Sequence, residues 1–150
     1  SPVLARYRAH AKECCVALLR ATSSKGSWSG AAMVPTASLP TDGPVAALTR
    51  ASIRPRHLRS FWRLSPASEA ALAASPGCEL AVGLGEAPLL RQCTFSLWDS
   101  VASMDAYARS GAHLLAIRTA YAGDFFSEAM FVRFAVLDLQ GVWKGRVYGG

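Results

Sequence analysis

Two stretches of the chain repeat one pattern at a fixed distance, and this limits the possible folds more strongly than any other feature. Glu13 opens a strand-like apolar run that ends in Gly26-Ser27-Trp28-Ser29-Gly30, and Glu128 opens another that ends in Gly141-Val142-Trp143-Lys144-Gly145. The matched pairs Glu13/Glu128, Gly26/Gly141, Trp28/Trp143 and Gly30/Gly145 all stand 115 residues apart. Four coincidences of uncommon residues at one offset do not arise readily by chance, and a period this long marks a duplicated domain, not a solenoid. Each copy is therefore expected to close with a strand followed by Gly-x-Trp-x-Gly.

The remaining elements follow from periodicity. Val45 to Ile53 reads as a strand, and Pro55 opens a helix to about Leu64, with a further turn over Ser68 to Ala74. Glu79 to Glu86 and Leu89 to Trp98 read as a hairpin turning at Ala87-Pro88. Asp99 is the expected cap of a helix with the apolar stripe Val101, Met104 and Ala108; Ser110-Gly111 interrupts it before Ala112 to Tyr121 resumes. Ala129 to Leu139 closes the set as a strand. The order β-α-β-β-α-β predicts an α+β protein of ferredoxin-like type, with helices on one face of an antiparallel sheet.

Residues 1–30 then hold only the last helix (about Val3 to Lys12) and last strand (about Cys14 to Thr22) of a first copy. Residues 31–44, with three prolines, form a linker, and residues 45–150 a complete second copy. The start at Ser1-Pro2, without methionine, fits a missing upstream segment. A ferredoxin-like sheet has one bare face, and two units packed face to face make a dimeric-type α/β barrel. A homodimer pairing through the open face is expected to supply the cover.

With 150 residues the chain can bury a core without staples. Cys14, Cys15, Cys78 and Cys93 form no CxxC pair and no zinc spacing with histidines, which predicts reduced thiols and a cytoplasmic location. Apolar residues make up 51% of the chain, yet arginines and prolines interrupt them short of the roughly 18 that span a bilayer. Contact with the inner membrane is thus peripheral at most, and no secretory leader opens the chain. The net charge of +6 favours an acidic partner. Arg50, Arg54, Arg56, Arg59 and Arg63 lie among His57, Phe61 and Trp62, a mixture that RNA-binding surfaces can show. The spacing of Arg56, Arg59 and Arg63 describes instead the solvated face of an amphipathic helix, so nucleic acid is not the expected partner.

No carboxylate pair, nucleophile elbow or phosphate loop stands beside the histidines, and no catalytic residue can be named from spacing. Gly83-Leu84-Gly85 lacks the third glycine and the helix of a dinucleotide fingerprint and reads as a strand end. His113, Ile117 and Tyr121 are spaced four and four on one helical face. An imidazole so placed could ligate a heme iron, with Arg118 near enough to meet a propionate, or could simply hydrogen-bond near the helix break. Among the aromatic residues, most of them core, Phe61, Trp62, Phe95 and Phe126 are candidates for an apolar pocket wall.

Taken in order, Gly43-Pro44-Val45 through Arg54-Pro55, Phe61-Trp62-Arg63, Gly83-Leu84-Gly85-Glu86, Thr94-Phe95-Ser96-Leu97-Trp98, His113 with Ala116-Ile117-Arg118, and Phe126 with Glu128 resemble the spheroidene monooxygenase family. The resemblance runs over nearly the whole chain, including Gly26 to Gly30 and the opening Ser1 to Arg6, which in the family lie well inside the chain. A departure is Phe125-Phe126, where the family often shows Trp-Phe. The resemblance implies an oxygen-dependent acyclic carotenoid ketolase that converts spheroidene to spheroidenone at C2, with heme as cofactor and reduced ferredoxin as electron donor. It makes His113 the first choice for axial ligand and Arg118 for propionate partner. The front half of a first copy would supply the other wall of a carotenoid tunnel. The alternative is a cofactor-free α/β-barrel binding or interaction module, inactive by itself.

Overall fold

Alternating apolar residues sort this chain into a single antiparallel sheet, and two of its three described α-helices pack on one face of it. The computed structural model describes residues 2–86, 89–111, 118 and 123–149. Helix α1 (Pro2–His10) leads into β1 (Cys15–Gly26), and the linker leads to β2 (Val45–Ile53). A 3-10 turn (Pro55–His57) opens α2 (Leu58–Ala73), followed by β3 (Cys78–Glu86), β4 (Arg91–Trp98), α3 (Val101–Ala108), β5 (Phe126–Trp143) and β6 (Arg146–Tyr148). The sheet order is β1-β5-β2-β4-β3, with β6 folded back on β5, and every pairing is antiparallel. Residues 45–143 thus form the expected ferredoxin-like unit, and β1 adds to it beside β5.

Three expectations are corrected in detail. The helix after Pro55 is not split into two pieces: α2 runs unbroken through Pro66, which removes one intrahelical donor without stopping the helix. Helix α3 is capped by Ser100, whose Oγ accepts the Ser103 N–H at 3.2 Å, and not by Asp99. Asp99 lies one residue too early and takes the Ser100 hydroxyl at 2.8 Å instead. The closing strand is longer at both ends than expected, because Phe126 to Glu128 pair with Ser52 and Ile53 while Leu139 to Gly141 pair with β1.

The core lies on both faces of the sheet. On the helix side Leu72 of α2 and Met104 of α3 pack on Val45, Ala47 and Trp98. Ala46, Leu97, Met130, Val132 and Phe134 point the other way and form a cluster whose described members are strand and turn residues. Leu97, Ala46 and Val132 are fully buried there, so the expected bare face is covered within the chain. The sheet curls to do it. Tyr148 at the end of β6 joins the inner cluster and donates its hydroxyl to the Glu79 carbonyl on the far edge strand at 3.1 Å, while Arg146 pairs with the Glu79 carboxylate at 3.2 Å. Gly83 on β3 has no Cβ to meet the Glu69 carboxylate of α2, which accepts from Gln92 Nε2 at 3.3 Å. Gly83 therefore serves close helix packing, whereas a Cβ at Gly85 would meet open space.

Candidate functional site

The repeated residues meet across an approximate two-fold axis. Strand β1 pairs with β5 so that Cys15 faces Gly141 and Gly26 faces Met130, and a shift of 115 residues turns one of these pairs into the other. Trp28-Ser29-Gly30-Ala31 and Trp143-Lys144-Gly145-Arg146 are matching two-residue turns, with φ of 53° and 76° at Ser29 and Gly30 and 50° and 76° at Lys144 and Gly145. Both have the double left-handed backbone of type I′ hairpins. The N–H groups of Ser29 and Gly30 donate to Glu128 at 3.0 and 3.1 Å, and those of Lys144 and Gly145 donate to Glu13 at 2.7 and 2.8 Å. Each glutamate thus clasps the turn of the opposite repeat. The Gly30 and Ser29 amides, joined by the Ser27 hydroxyl and the charge of Arg91, hold the Glu128 carboxyl below the usual carboxylate range.

Around the Glu128 clasp the sheet opens into a cleft of about 590 Å³, lined by Ser27, Ser52, Ile53, Pro55, Leu90, Arg91, Ser127 and Glu128. Trp28 stands beside it, half-buried against the inner cluster. The Arg50 guanidinium lies 3.9 Å from the centre of its ring and that of Arg91 5.4 Å away. An indole with two guanidiniums over its ring is a cation–π arrangement that holds both side chains at the rim. One carboxylate engaged by backbone amides, two arginines and three serine hydroxyls give this mouth hydrogen-bonding capacity, while Ile53, Leu90 and Pro55 give it an apolar floor.

An aromatic group adjoins the cleft where Ile53 meets Phe126. Phe61 on α2 stands edge-on to Trp62 at 5.4 Å and to Phe126 at 6.1 Å, and Trp62 donates its indole N–H to the Leu89 carbonyl at 3.1 Å. Three of the four expected pocket residues are thus brought together. Phe95 is not among them: it packs on the inner cluster, on the opposite face of the sheet. His57 stacks on Phe125 at 4.8 Å, and its Nε2 accepts from Arg56 at 3.0 Å. Arg118 is exposed, and His113 lies outside the described residues. Arg59 and Arg63 are exposed on α2, as the solvated-face reading expects, while Arg56 pairs with Asp124 at 2.7 Å. The described cysteines are all free thiols, and among the described residues no helix is long and apolar enough to cross a membrane.

No family model matches the chain. Curated relatives do. A spheroidene monooxygenase of Rubrivivax gelatinosus is 56% identical over 149 residues, covering 99% of this chain and 57% of the relative. The spheroidene monooxygenase of Rhodobacter capsulatus is 39% identical, covering 97% of this chain and 62% of the relative. Over the span it shares with them, the chain is similar to these spheroidene monooxygenases. It spans somewhat more than half the length of these two relatives. Solved structures add the fold. A protein of Fusobacterium nucleatum aligns with a TM-score of 0.63 at 12% identity, over 89% of this chain and 56% of that one. A protein of Mycobacterium tuberculosis aligns at 0.56 and 23% identity, over 63% of this chain and 96% of that one. A cofactor-independent oxygenase of Streptomyces nogalater aligns at 0.54 and 14% identity, over 64% of this chain and 95% of that one. Sequence reasoning missed the grouping of Trp28, Arg50, Arg91 and Glu128. The repeat singles out Trp28 and Glu128, but the two arginines reach them only through strand pairing.

Proposed function

We propose that this chain forms part of an oxygen-dependent monooxygenase acting on an acyclic carotenoid, with spheroidene converted to spheroidenone at C2. The observation that carries this reading is the 56% identity to a protein named spheroidene monooxygenase, maintained over 99% of the chain. The aromatic group of Phe61, Trp62 and Phe126 supports it, since an apolar polyene needs a flat, water-excluding wall, and Phe95 would line a deeper apolar surface.

Heme belongs to the same proposal. Helical spacing and the family resemblance make His113 the choice for axial ligand, while His57 is engaged by Arg56 and Phe125 and His10 sits on the exposed helix α1. Arg118, exposed and always charged, suits a propionate. Bound heme would supply the dioxygen activation that side chains alone cannot. The chain's own residues would hold the polyene against the aromatic wall, exclude water and neutralise propionate charge. Reduced ferredoxin as donor, a cytoplasmic location with peripheral membrane contact, and pairing with a second copy complete the reading. The fold shared with a cofactor-independent oxygenase favours a second reading, in which this chain takes up no heme.

A hemin titration followed at the Soret band separates the two. Saturation near one heme per chain, with the band shifted or lost in His113→Ala and affinity weakened in Arg118→Ala, is the expected result. Titration without saturation overturns the heme assignment for this chain. Oxygen-dependent conversion of spheroidene by the protein then tests the substrate separately.

A further inference from the structure

The two-fold relation between the repeats predicts more pairing than this chain supplies. Strand β5 is flanked on both edges, by β1 on one and β2 on the other, whereas β1 pairs with β5 alone among the described residues. The orientation of its outer edge follows from two carbonyls. The Cys14 carbonyl faces β5 and accepts the Val142 N–H at 2.9 Å, and the Ala21 carbonyl faces away from β5, accepting Thr36 N–H at 2.9 Å. Backbone groups alternate between edges along a strand, and the irregularity near Leu19 adds its extra residue, Leu137, on β5 and not on β1. Cys15, Ala17 and Leu19 therefore turn their N–H and C=O groups to the outer edge.

Their counterparts 115 residues on, Met130, Val132 and Phe134, face β2 opposite Arg50, Leu48 and Ala46. Those three are buried, while Cys15, Ala17 and Leu19 are only half-buried. Thr36 and Ala37 close the outer edge at Ala21, whose counterpart Val136 lies one residue past the last β5 partner of β2. The linker thus stops where the equivalent pairing would begin and leaves that window clear. The relatives carry chain well beyond the span they share with this one.

We propose that the outer edge of β1 from Cys15 to Leu19 docks the opening strand of a further β-α-β-β segment, standing to β1 as residues 45–98 stand to β5. The added strand runs antiparallel to β1, and the segment covers the inner side chains of Cys15, Ala17 and Leu19 as β2 and β4 cover those of β5. Main-chain hydrogen bonds give the attachment, and the inner apolar row gives it register. The inference is independent of the substrate and of heme.

The probe is the part of the Rubrivivax gelatinosus relative outside the shared span, made as a separate chain and mixed with this protein. A one-to-one complex is expected, with amide exchange at Cys15, Ala17 and Leu19 slowed by on the order of tenfold or more. Ala17→Pro removes only an outward N–H, which an edge strand tolerates, so the variant should keep the circular dichroism and melting of the free protein and lose the complex. The exchange pattern of the unaltered protein decides the matter even if that variant does not fold. The proposal is overturned if no complex forms, if the three amides stay fast within it, if folded Ala17→Pro binds as well, or if a second copy of this chain protects them first.

Discussion

Glu128 shows how one side chain holds two parts of the molecule. Its carboxylate takes the amides of Ser29 and Gly30 and the hydroxyl of Ser27, 98 to 101 residues away in sequence. These donors favour the ionised form and depress its pKa. A depressed carboxylate stabilises the fold fully above the ordinary glutamate value of about 4.3, and the contribution fades as pH falls through the lower folded value. Glu128→Gln should therefore lower the melting temperature at neutral pH, with the gap from the parent closing in acid. Melting curves across that range check this; a gap constant with pH would remove the carboxylate from the account. At the same scale, His113 and Arg118 came from helical spacing and family resemblance, whereas the contacts of Arg50 and Arg91 with Trp28 escaped notice because cation–π contacts carry no sequence period.

Among the elements, the two strand ends with their turns are the most demanding pieces. Gly141 has φ of 116°, and a Cβ there would run into the Cys14 carbonyl oxygen; Gly26 makes the same approach to Ala129. Gly145 also has positive φ, at 76°, but open space around it. Gly141→Ala should cost more than about 1 kcal/mol, since backbone strain and collision add, and Gly145→Asn less than that, since asparagine accepts the left-handed region. Urea denaturation of the two variants checks the order. The spacing of glycines and tryptophan was legible in the sequence as a motif. That the motif forms hairpins clasped by the opposite repeat was not, because the clasping glutamate sits at the other repeat's strand start.

For the whole molecule, closure of the sheet depends on the chain's last strand. Tyr148 is buried in the inner cluster and its hydroxyl reaches the far edge strand at Glu79. Tyr148→Phe should cost about 0.5–1.5 kcal/mol, the net worth of the hydrogen bond. Tyr148→Ala should cost about 3–5 kcal/mol and expose the inner cluster to a hydrophobic dye such as ANS. Chemical denaturation with ANS fluorescence measures both; equal losses in the two variants would show that the ring contributes nothing by packing.

By itself the sequence determined the element order, the antiparallel ferredoxin-like pattern, the repeat at an offset of 115 and the family likeness. These properties are local or periodic: strand alternation, helical spacing, turn residues and an ordered set of motifs all lie along the chain. Tertiary structure decided that β1 lies antiparallel to β5, that the sheet curls over its own bare face, and that Phe95 is separated from Phe61, Trp62 and Phe126. It also brought Trp28, Arg50, Arg91 and Glu128 to one mouth. Such contacts depend on register and sheet curvature, which are set by burying many side chains at once and leave no periodic trace in the order of residues.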